Sequence, residues 1–341
     1  MDHQEVAVVE NSKIEWTDHT FNPWVGCTKI SPACANCYAE GWAKRTGHAD
    51  LWTGERRRTS AENWRQPLKW NKEAAASGIR RKVFCASLAD VFDNQVPVRW
   101  RDDLWHYIAM TPYLDWLLLT KRPQNIAKML PTKAAGHPEW GDGWPNVWLG
   151  TTVENQTEAD RRIPDLLSTP AAVRFLSCEP LLGPVDIRQW QHDYGCGCGW
   201  GGNSPLSYCN ECGWRGDNAY YGEPCPECGE TLADYNACPE CDGHDGDGMS
   251  FGPNSLPRVD WVICGGESGP HARPMHPEWA RGLRDQCKAA GVPFLFKQWG
   301  EWHPDALLYT DIHGTCPPPH MRIGKAKSGR LLDGVLWDER P

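Results

Sequence analysis

No stretch of this 341-residue chain approaches the roughly 18 to 20 uninterrupted apolar residues needed to cross a bilayer. The opening segment, MDHQEVAVVENSKIEW, has neither the basic flank nor the apolar run of a secretory signal. A cytoplasmic chain with no membrane partner is therefore expected. Positive charge is scarce as well: 35 Lys and Arg stand against 44 Asp and Glu, a net charge of -9, which disfavours a chain-wide basic surface. Only local patches remain, around Arg56, Arg57 and Arg58 and around Arg80, Arg81 and Lys82. No GxGxxG fingerprint follows the first strand candidate, and the acidic tract CDGHDGDG at 241–248 lacks the closing glutamate of an EF-hand.

What the chain does have is 16 cysteines and 20 tryptophans. Disulfides are rarely stable in the cytosol, so the cysteines point to metal, chemistry or burial. Eight of them lie in residues 191–254, where Gly, Asn, Asp and Pro replace the apolar runs found on either side. They form four close pairs: Cys196 and Cys198, Cys209 and Cys212, Cys225 and Cys228, Cys238 and Cys241. Four such knuckles suit two tetrahedral four-thiolate sites, with up to two zinc ions replacing a core that this composition cannot build. Local pairing would join the second and third pairs as a zinc ribbon and the first to the fourth; cross-braced pairing is the alternative. The expected organisation is an inserted zinc-ribbon-like subdomain at 191–254 within a discontinuous domain formed by residues 1–190 and 255–341.

Outside the insert, short apolar runs alternate with polar turns and amphipathic stretches. Strands are predicted at about 21–25, 83–87, 116–120, 147–151, 173–177 and 261–265, with a further candidate in 292–300. Helices are predicted over Val98–Met110, Pro123–Leu130, Gln156–Leu167 and His276–Ala290. This is an α/β pattern, read as a partial (βα)6 TIM-type barrel, with a doubly wound sheet as the alternative. In such folds the chemistry gathers at the carboxyl ends of the strands. There the sequence places Ser87, Asp90, Thr120, Lys121, Arg122, Glu154, Asn155, Cys178, Glu179 and Glu267.

Cys27, Cys34 and Cys37, spaced Cx6CxxC, fall on the same rim after the first strand. Three thiolates leave a metal position open, either for a distant fourth ligand or, in a [4Fe-4S] cluster, for a small chelating molecule. The loop resembles the cluster loop of the radical S-adenosylmethionine enzymes. The wider strings KIEWTDHTFNPWVGCTKISPACANCYAE, LADVFD, LLLTKRP, GTTVENQ, SCEPLLGP and CGGESGP resemble a phage-associated family whose members generally have no assigned reaction. The resemblance implies a radical-SAM-like fold, Cys27, Cys34 and Cys37 as iron ligands, and Tyr38 beside the adenine of S-adenosylmethionine. It implies reductive cleavage of that cofactor to a 5'-deoxyadenosyl radical, with an electron donor such as flavodoxin or ferredoxin. Ser87, Asp90, Thr120, Lys121, Glu154 and Asn155 become candidate cofactor contacts.

One departure is visible: the Gly-Gly-Glu that many members carry after the second strand occurs here only at Gly265, Gly266 and Glu267, after the sixth. Cys178, beside Glu179, is a candidate hydrogen-atom donor, with Glu179 and Glu267 beside the chemistry; burial as a small hydrophobe is the alternative for Cys178, as for Cys85 and Cys264. Trp16, Trp24 and Trp42 flank the cysteine loop. Tryptophan beside scattered arginine favours a nucleic-acid or nucleotide substrate, to be repaired or modified. The alternatives are a non-catalytic zinc and nucleic-acid-binding protein, or an iron-sulfur enzyme of other chemistry.

Overall fold

The computed structural model of the chain describes residue 12 and residues 14–191, 207–208, 215–216, 233–234 and 258–341. Two compact units emerge, one formed by Met1–Asp186 with Val259–Pro341 and the other by Ile187–Arg258. In the second unit, Ser207–Tyr208 pairs antiparallel with both Arg215–Gly216 and Ala233–Asp234. The zinc-ribbon reading of this unit rests on Cys196, Cys198, Cys209, Cys212, Cys225, Cys228, Cys238 and Cys241, which lie outside the described residues.

The first unit is organised by seven strands: β1 (His19–Phe21), β2 (Arg81–Cys85), β3 (Leu114–Thr120), β4 (Val147–Thr152), β5 (Val173–Cys178), β6 (Trp261–Gly265) and β7 (Phe294–Gln298). They hydrogen-bond in the order of the chain, and every pairing is parallel. Parallel neighbours need long crossovers. The β1 to β2 connection carries α1 (Tyr38–Arg45) and α2 (Ala61–Ser77); α3 (Val98–Ala109), α4 (Gln156–Leu167) and α5 (Pro277–Ala289) serve β2 to β3, β4 to β5 and β6 to β7.

The sheet is open but curled. The Trp16 ring lies 4.6 Å from Phe84 on β2, 6.3 Å from Phe175 on β5 and 6.4 Å from Trp261 on β6. In a flat sheet, strands two and six would stand about 19 Å apart at a spacing of roughly 4.8 Å. An indole touching both requires a concave surface, consistent with a partial barrel. Its hollow is filled at one end by Trp16, Phe84, Leu117, Trp148, Phe175, Trp261, Ile263 and Leu295. Gly150 makes room for this packing, because a Cβ there would sit 2.4 Å from the Phe175 ring. The free edge of β7 is covered by the tail: Phe296 N donates to Trp337 O, and Glu339 N to Phe294 O. Arg340 then donates to the Glu15 carbonyl at 2.9 Å, near the start of β1.

Several elements differ from the sequence expectation, among them helix α1, which was not expected. The first strand ends at Phe21, because Asn22 and Pro23 intervene; Trp24–Val25 pairs instead with Arg57–Arg58, antiparallel, in a separate ribbon. The helix expected over 123–130 shrinks to a 3-10 turn and the single turn Ile126–Met129, ending just before the Leu130-Pro131 step. Helix α2 was not expected, although Ser60 caps its first turn by accepting from Asn63 N and Gly78 ends it at φ +68. Among the described residues no helix is long and apolar enough to cross a membrane.

Candidate functional site

Side chains alternate along a strand, so inward positions recur every second residue. On β5 the inward series is Phe175, Ser177 and, just past the strand, Glu179; on β3 it is Leu117, Leu119 and Lys121; on β4, Trp148 and Thr152 flank Gly150. Each series runs from the aromatic filling to a polar rim at the strand's carboxyl end. There a cavity of about 420 Å³ opens, with Trp16, Phe84 and Leu119 among its apolar lining. Strand β7 breaks the alternation: its register against β6 shifts between Cys264 and Gly265, so Gly265 faces Gln298 and Lys297 is skipped. Such a bulge re-aims side chains, and both Lys297 and Gln298 line the cavity.

Two charged groups shape this rim. Lys297 Nζ donates to both oxygens of Glu179, at 2.7 and 3.0 Å, and Gln298 Nε2 adds a third bond to Glu179 Oε1 at 3.1 Å. On the other side, Asp90 accepts from Thr120 Oγ1 at 2.7 Å, from Lys121 N at 3.2 Å and from Arg122 Nη1 at 3.0 Å. Lys121 also lines the cavity, and its ammonium makes no ion pair among the described residues. Three lining residues carry a buried polar atom with no hydrogen-bond partner among the described residues: Trp16 Nε1, Thr152 Oγ1 and Gln298 Oε1.

The cysteine loop is fastened across the strand ends. Glu154, fully buried, accepts from Ala33 N at 3.1 Å and from Arg162 Nη1 at 2.8 Å. Burial pushes its carboxyl up, but Arg162, Ser31 and the Ala33 amide outweigh this and hold it below the usual range. Glu267 accepts from Asn36 Nδ2 at 3.0 Å and from Arg273 through N, Nε and Nη2 at 2.8, 2.8 and 2.6 Å. Against the upward push of burial, Arg273 and Asn36 hold it low as well. Arg122 Nη2 donates to Thr28 O at 2.9 Å, and Tyr38 Oη to Ser87 O at 2.6 Å. The Gly-Gly-Glu at 265–267 thus has a structural use: a Cβ on Gly266 would sit 2.0 Å from Trp299 O, and Glu267 ties the loop down.

Comparison with known families adds one decisive observation: residues 11–341 match the family described as a protein of unknown function (DUF5131). The chain belongs to this family. No curated protein matches it. Among solved structures, the DUF5131 chain is similar to spore photoproduct lyase, as a double mutant with bound AdoMet and dinucleoside spore photoproduct, at 13% identity and TM-score 0.37. A structure of the same enzyme complexed with dinucleoside spore photoproduct gives 13% and 0.36. Each comparison covers 52% of this chain and 49% of the other, so the DUF5131 chain spans about half the length of these relatives. A likeness of that size carries no functional argument.

The geometry corrects the reading of the DUF5131 chain as a radical S-adenosylmethionine enzyme. Among the described residues, no group of three or more His, Cys, Asp or Glu side chains is placed to hold a metal ion. Cys27 Sγ instead lies 3.7 Å from Arg122 Nη1 and from Thr28 O, and Cys34 Sγ 3.8 Å from Ser31 Oγ. Cys37, at the N-cap of α1, packs with Cys27 and Trp42 against the Val25, Leu51 and Leu88 cluster. Burial and Asp90 push the Cys27 thiol up to about 11, partly offset by Arg122. The [4Fe-4S] cluster expected on Cys27, Cys34 and Cys37, the S-adenosylmethionine radical reaction, the radical-type enzyme assignment and the zinc cofactor thus find no ligand set among the described residues.

The individual candidates separate by face. Glu179, Glu267, Tyr38, Ser87, Asp90, Thr120 and Lys121 line the cavity, as do the three loop cysteines. Glu154 and Asn155 do not: the first fastens the loop, and the second caps α4 by accepting from Glu158 N at 3.0 Å. Cys178 is fully buried beside its register partner Cys264, outside the cavity lining, because it alternates with Ser177 and Glu179. Trp24 is buried away from the cavity, and Trp42 packs beneath the loop. Sequence reasoning missed Lys297 and Gln298. For Lys297 the signal is a lysine closing the apolar run VPFLF at a strand's carboxyl end, whereas nothing in the sequence announces the bulge that brings Gln298 to the cavity as well.

Proposed function

We propose that this chain binds a nucleotide-class ligand in the rim cavity. The observation that carries the reading is the conjunction, around one hollow, of an aromatic floor, Trp16 and Phe84, with a polar rim that carries Ser177, Glu179 and the Lys121 side chain. Small-molecule sites are mostly apolar hollows of about 300–1,000 Å³ with a few convergent polar groups, and this cavity fits that description. A nucleobase offers a flat face to Trp16 and Phe84 and a hydrogen-bonding edge to the polar rim. Lys121, without an ion pair among the described residues, is the phosphate anchor in this reading. Its placement at the end of β3 accords with the carboxyl-rim location of ligand sites in curled parallel sheets.

Calorimetric titration of the full chain with adenosine and cytidine 5'-monophosphates tests the reading, with the matching nucleosides and inorganic phosphate alongside. The monophosphates should bind and raise the unfolding temperature in proportion to occupancy. Lys121→Ala should weaken the monophosphates about tenfold or more while leaving the nucleosides close to their original affinity. Absence of binding by any monophosphate at millimolar concentration would remove the proposal.

A further inference from the structure

We infer that the nucleotide taken by the cavity belongs to a single strand of nucleic acid, whose phosphates run outward along a basic strip formed by Arg322, Lys325 and Lys327; this rests on the nucleotide reading above. The chain carries a net charge of -9, yet residues 312–332 contain no Asp or Glu and include these three cations and Arg330. The segment that follows β7 fixes where the strip lies. Gly329 O accepts from Trp299 N at 3.2 Å, Ser328 Oγ donates to Gly300 O at 2.6 Å, Gly324 N donates to Glu301 O at 2.9 Å, and Met321 O accepts from His303 N at 2.8 Å. The strip is therefore laced to the carboxyl end of the sheet, where the cavity opens, and Lys325 is itself part of the cavity lining.

These cations are available in a way that the basic clusters nearer the start of the chain are not. Arg56, Arg58, Arg80 and Arg81 are each engaged by an aspartate, respectively Asp93, Asp103, Asp115 and Asp18. In the strip, Arg322 Nη2 donates to the neutral Gly269 carbonyl at 2.7 Å, and neither Arg322 nor Lys327 makes an ion pair among the described residues. Lys325 stands 3.6 Å from Glu15, beyond hydrogen-bond reach, with 44% of its side chain exposed. Glu301 lies beside the strip, but its Oε1 is taken by Gly269 N at 3.0 Å. Arg322 and Lys327 are outside the cavity lining, so a ligand confined to the cavity leaves them unused, whereas a polyanionic strand continues onto them.

Tyr38 supplies the second feature that a strand uses. It lines the cavity while 58% exposed, and its hydroxyl is pinned to Ser87 O at 2.6 Å. An exposed ring held in place is a stacking platform for a base flanking the one in the cavity. The strand is single because a base paired within a duplex cannot reach the aromatic floor.

The test measures binding of the full chain to an alternating adenine and cytosine octamer beside adenosine and cytidine 5'-monophosphates. The octamer is used in ribo and deoxyribo forms, whose ratio distinguishes the two sources of strand. It should bind about tenfold or more tightly than either monophosphate, with a slope of log affinity against log salt of about -2 to -3, as for three or four neutralised phosphates on a single strand. Arg322→Gln combined with Lys327→Gln should bring octamer and monophosphate within about threefold and roughly halve that slope. An octamer no tighter than the monophosphates would overturn the inference while leaving the nucleotide reading standing. Failure of octamer and monophosphates alike would remove both, as would octamer binding without monophosphate binding, since the strand would then not be held through the cavity. An advantage that survives the double variant in a folded protein, or that a preformed duplex of the same sequence shares, would also overturn the inference.

Discussion

Along one set of strands, the concave face of the sheet changes character within two residues. At one end Trp16, Phe84, Trp148, Phe175 and Trp261 interlock with no exposure above 7%. One inward step further on, Ser177 and Thr152 appear, then Glu179, Lys121 and Lys297 around an open hollow. Backbone pairing runs from one half into the other, apart from the β6–β7 register shift at Cys264 and Gly265, so the difference lies mainly in side chains. The first half sets the curvature, because its rings bring β2 and β6 to a common indole. The second half holds polar groups at positions that curvature dictates, and contributes less to stability.

The largest expected effect breaks the filled half. Trp261 is fully buried, its ring lies 5.9 Å from Phe175 and 6.1 Å from Trp148, and its Nε1 donates to Glu339 O at 2.9 Å. Trp261→Ala should cost about 3–5 kcal/mol, measured by urea unfolding. Next comes Glu154→Gln, which unpairs a buried carboxylate from Arg162 and loosens the cysteine loop. A loss of about 3 kcal/mol is expected, since breaking a buried pair leaves one charge without its partner. A loss under about 1 kcal/mol would mean that Glu158, whose oxygen is 2.9 Å from Arg162 Nη2, carries the pairing alone.

The same clamps give the comparison a pH dependence. Glu154 and Glu267 have folded-state values held below the usual carboxylate range by their cationic and amide partners. A depressed carboxylate stabilises the fold above its unfolded value, near 4.3, and that contribution disappears as pH falls through the folded value. Unfolding midpoints should therefore hold between about pH 7 and 5 and drop below about pH 4. In Glu154→Gln and Glu267→Gln variants the acid slope should be shallower; an unchanged slope in both would detach the clamps from acid stability.

How much of this was legible in the sequence follows from the same alternation. The apolar runs ending in polar residues gave away the parallel sheet and its rim, and Asp90, Lys121 and Glu179 fall around the cavity by that logic. Period two also sets Cys178 opposite Ser177 and Glu179, so its burial away from the rim could have been read from spacing alone. The Cys27, Cys34 and Cys37 spacing was less informative, since chain separation within a loop does not fix where each sulfur points; Arg122 and Ser31 take two of them. Gln298 was illegible for a different reason. A bulge shifts register by one residue, and no periodic pattern announces it.

In the open half, effects on stability should be small and effects on binding large. Lys297→Met removes a cation that is mostly buried beside Glu179, yet Gln298 still donates to that carboxylate. A stability loss of about 1–2 kcal/mol is expected, less than for the fully buried Glu154 pair because both partners keep some solvent contact, together with at least a tenfold loss of nucleotide affinity in titration. Equal losses in both measurements would show that the rim, like the filled half, is part of the structural core.

The smallest effect sits at the junction of the two halves. Ala86 follows β2, lines the cavity and adopts φ +62, a left-handed conformation that costs a residue with a Cβ about 1–2 kcal/mol. Its backbone is committed there: the amide donates to Phe21 O at 2.8 Å, and its carbonyl accepts from Ala89 N at 3.0 Å, turning the chain from strand into rim loop. Ala86→Gly relieves the strain but adds freedom to the unfolded chain, which opposes it by about 0.4–1 kcal/mol. The net should lie between no change and about 1 kcal/mol of stabilisation, a rise of a few degrees at most in calorimetry. If the variant instead loses more than about 1 kcal/mol, the buried methyl group contributes more as packing than it costs as strain, and the filled half of the sheet extends one residue further toward the cavity than its aromatic rings suggest.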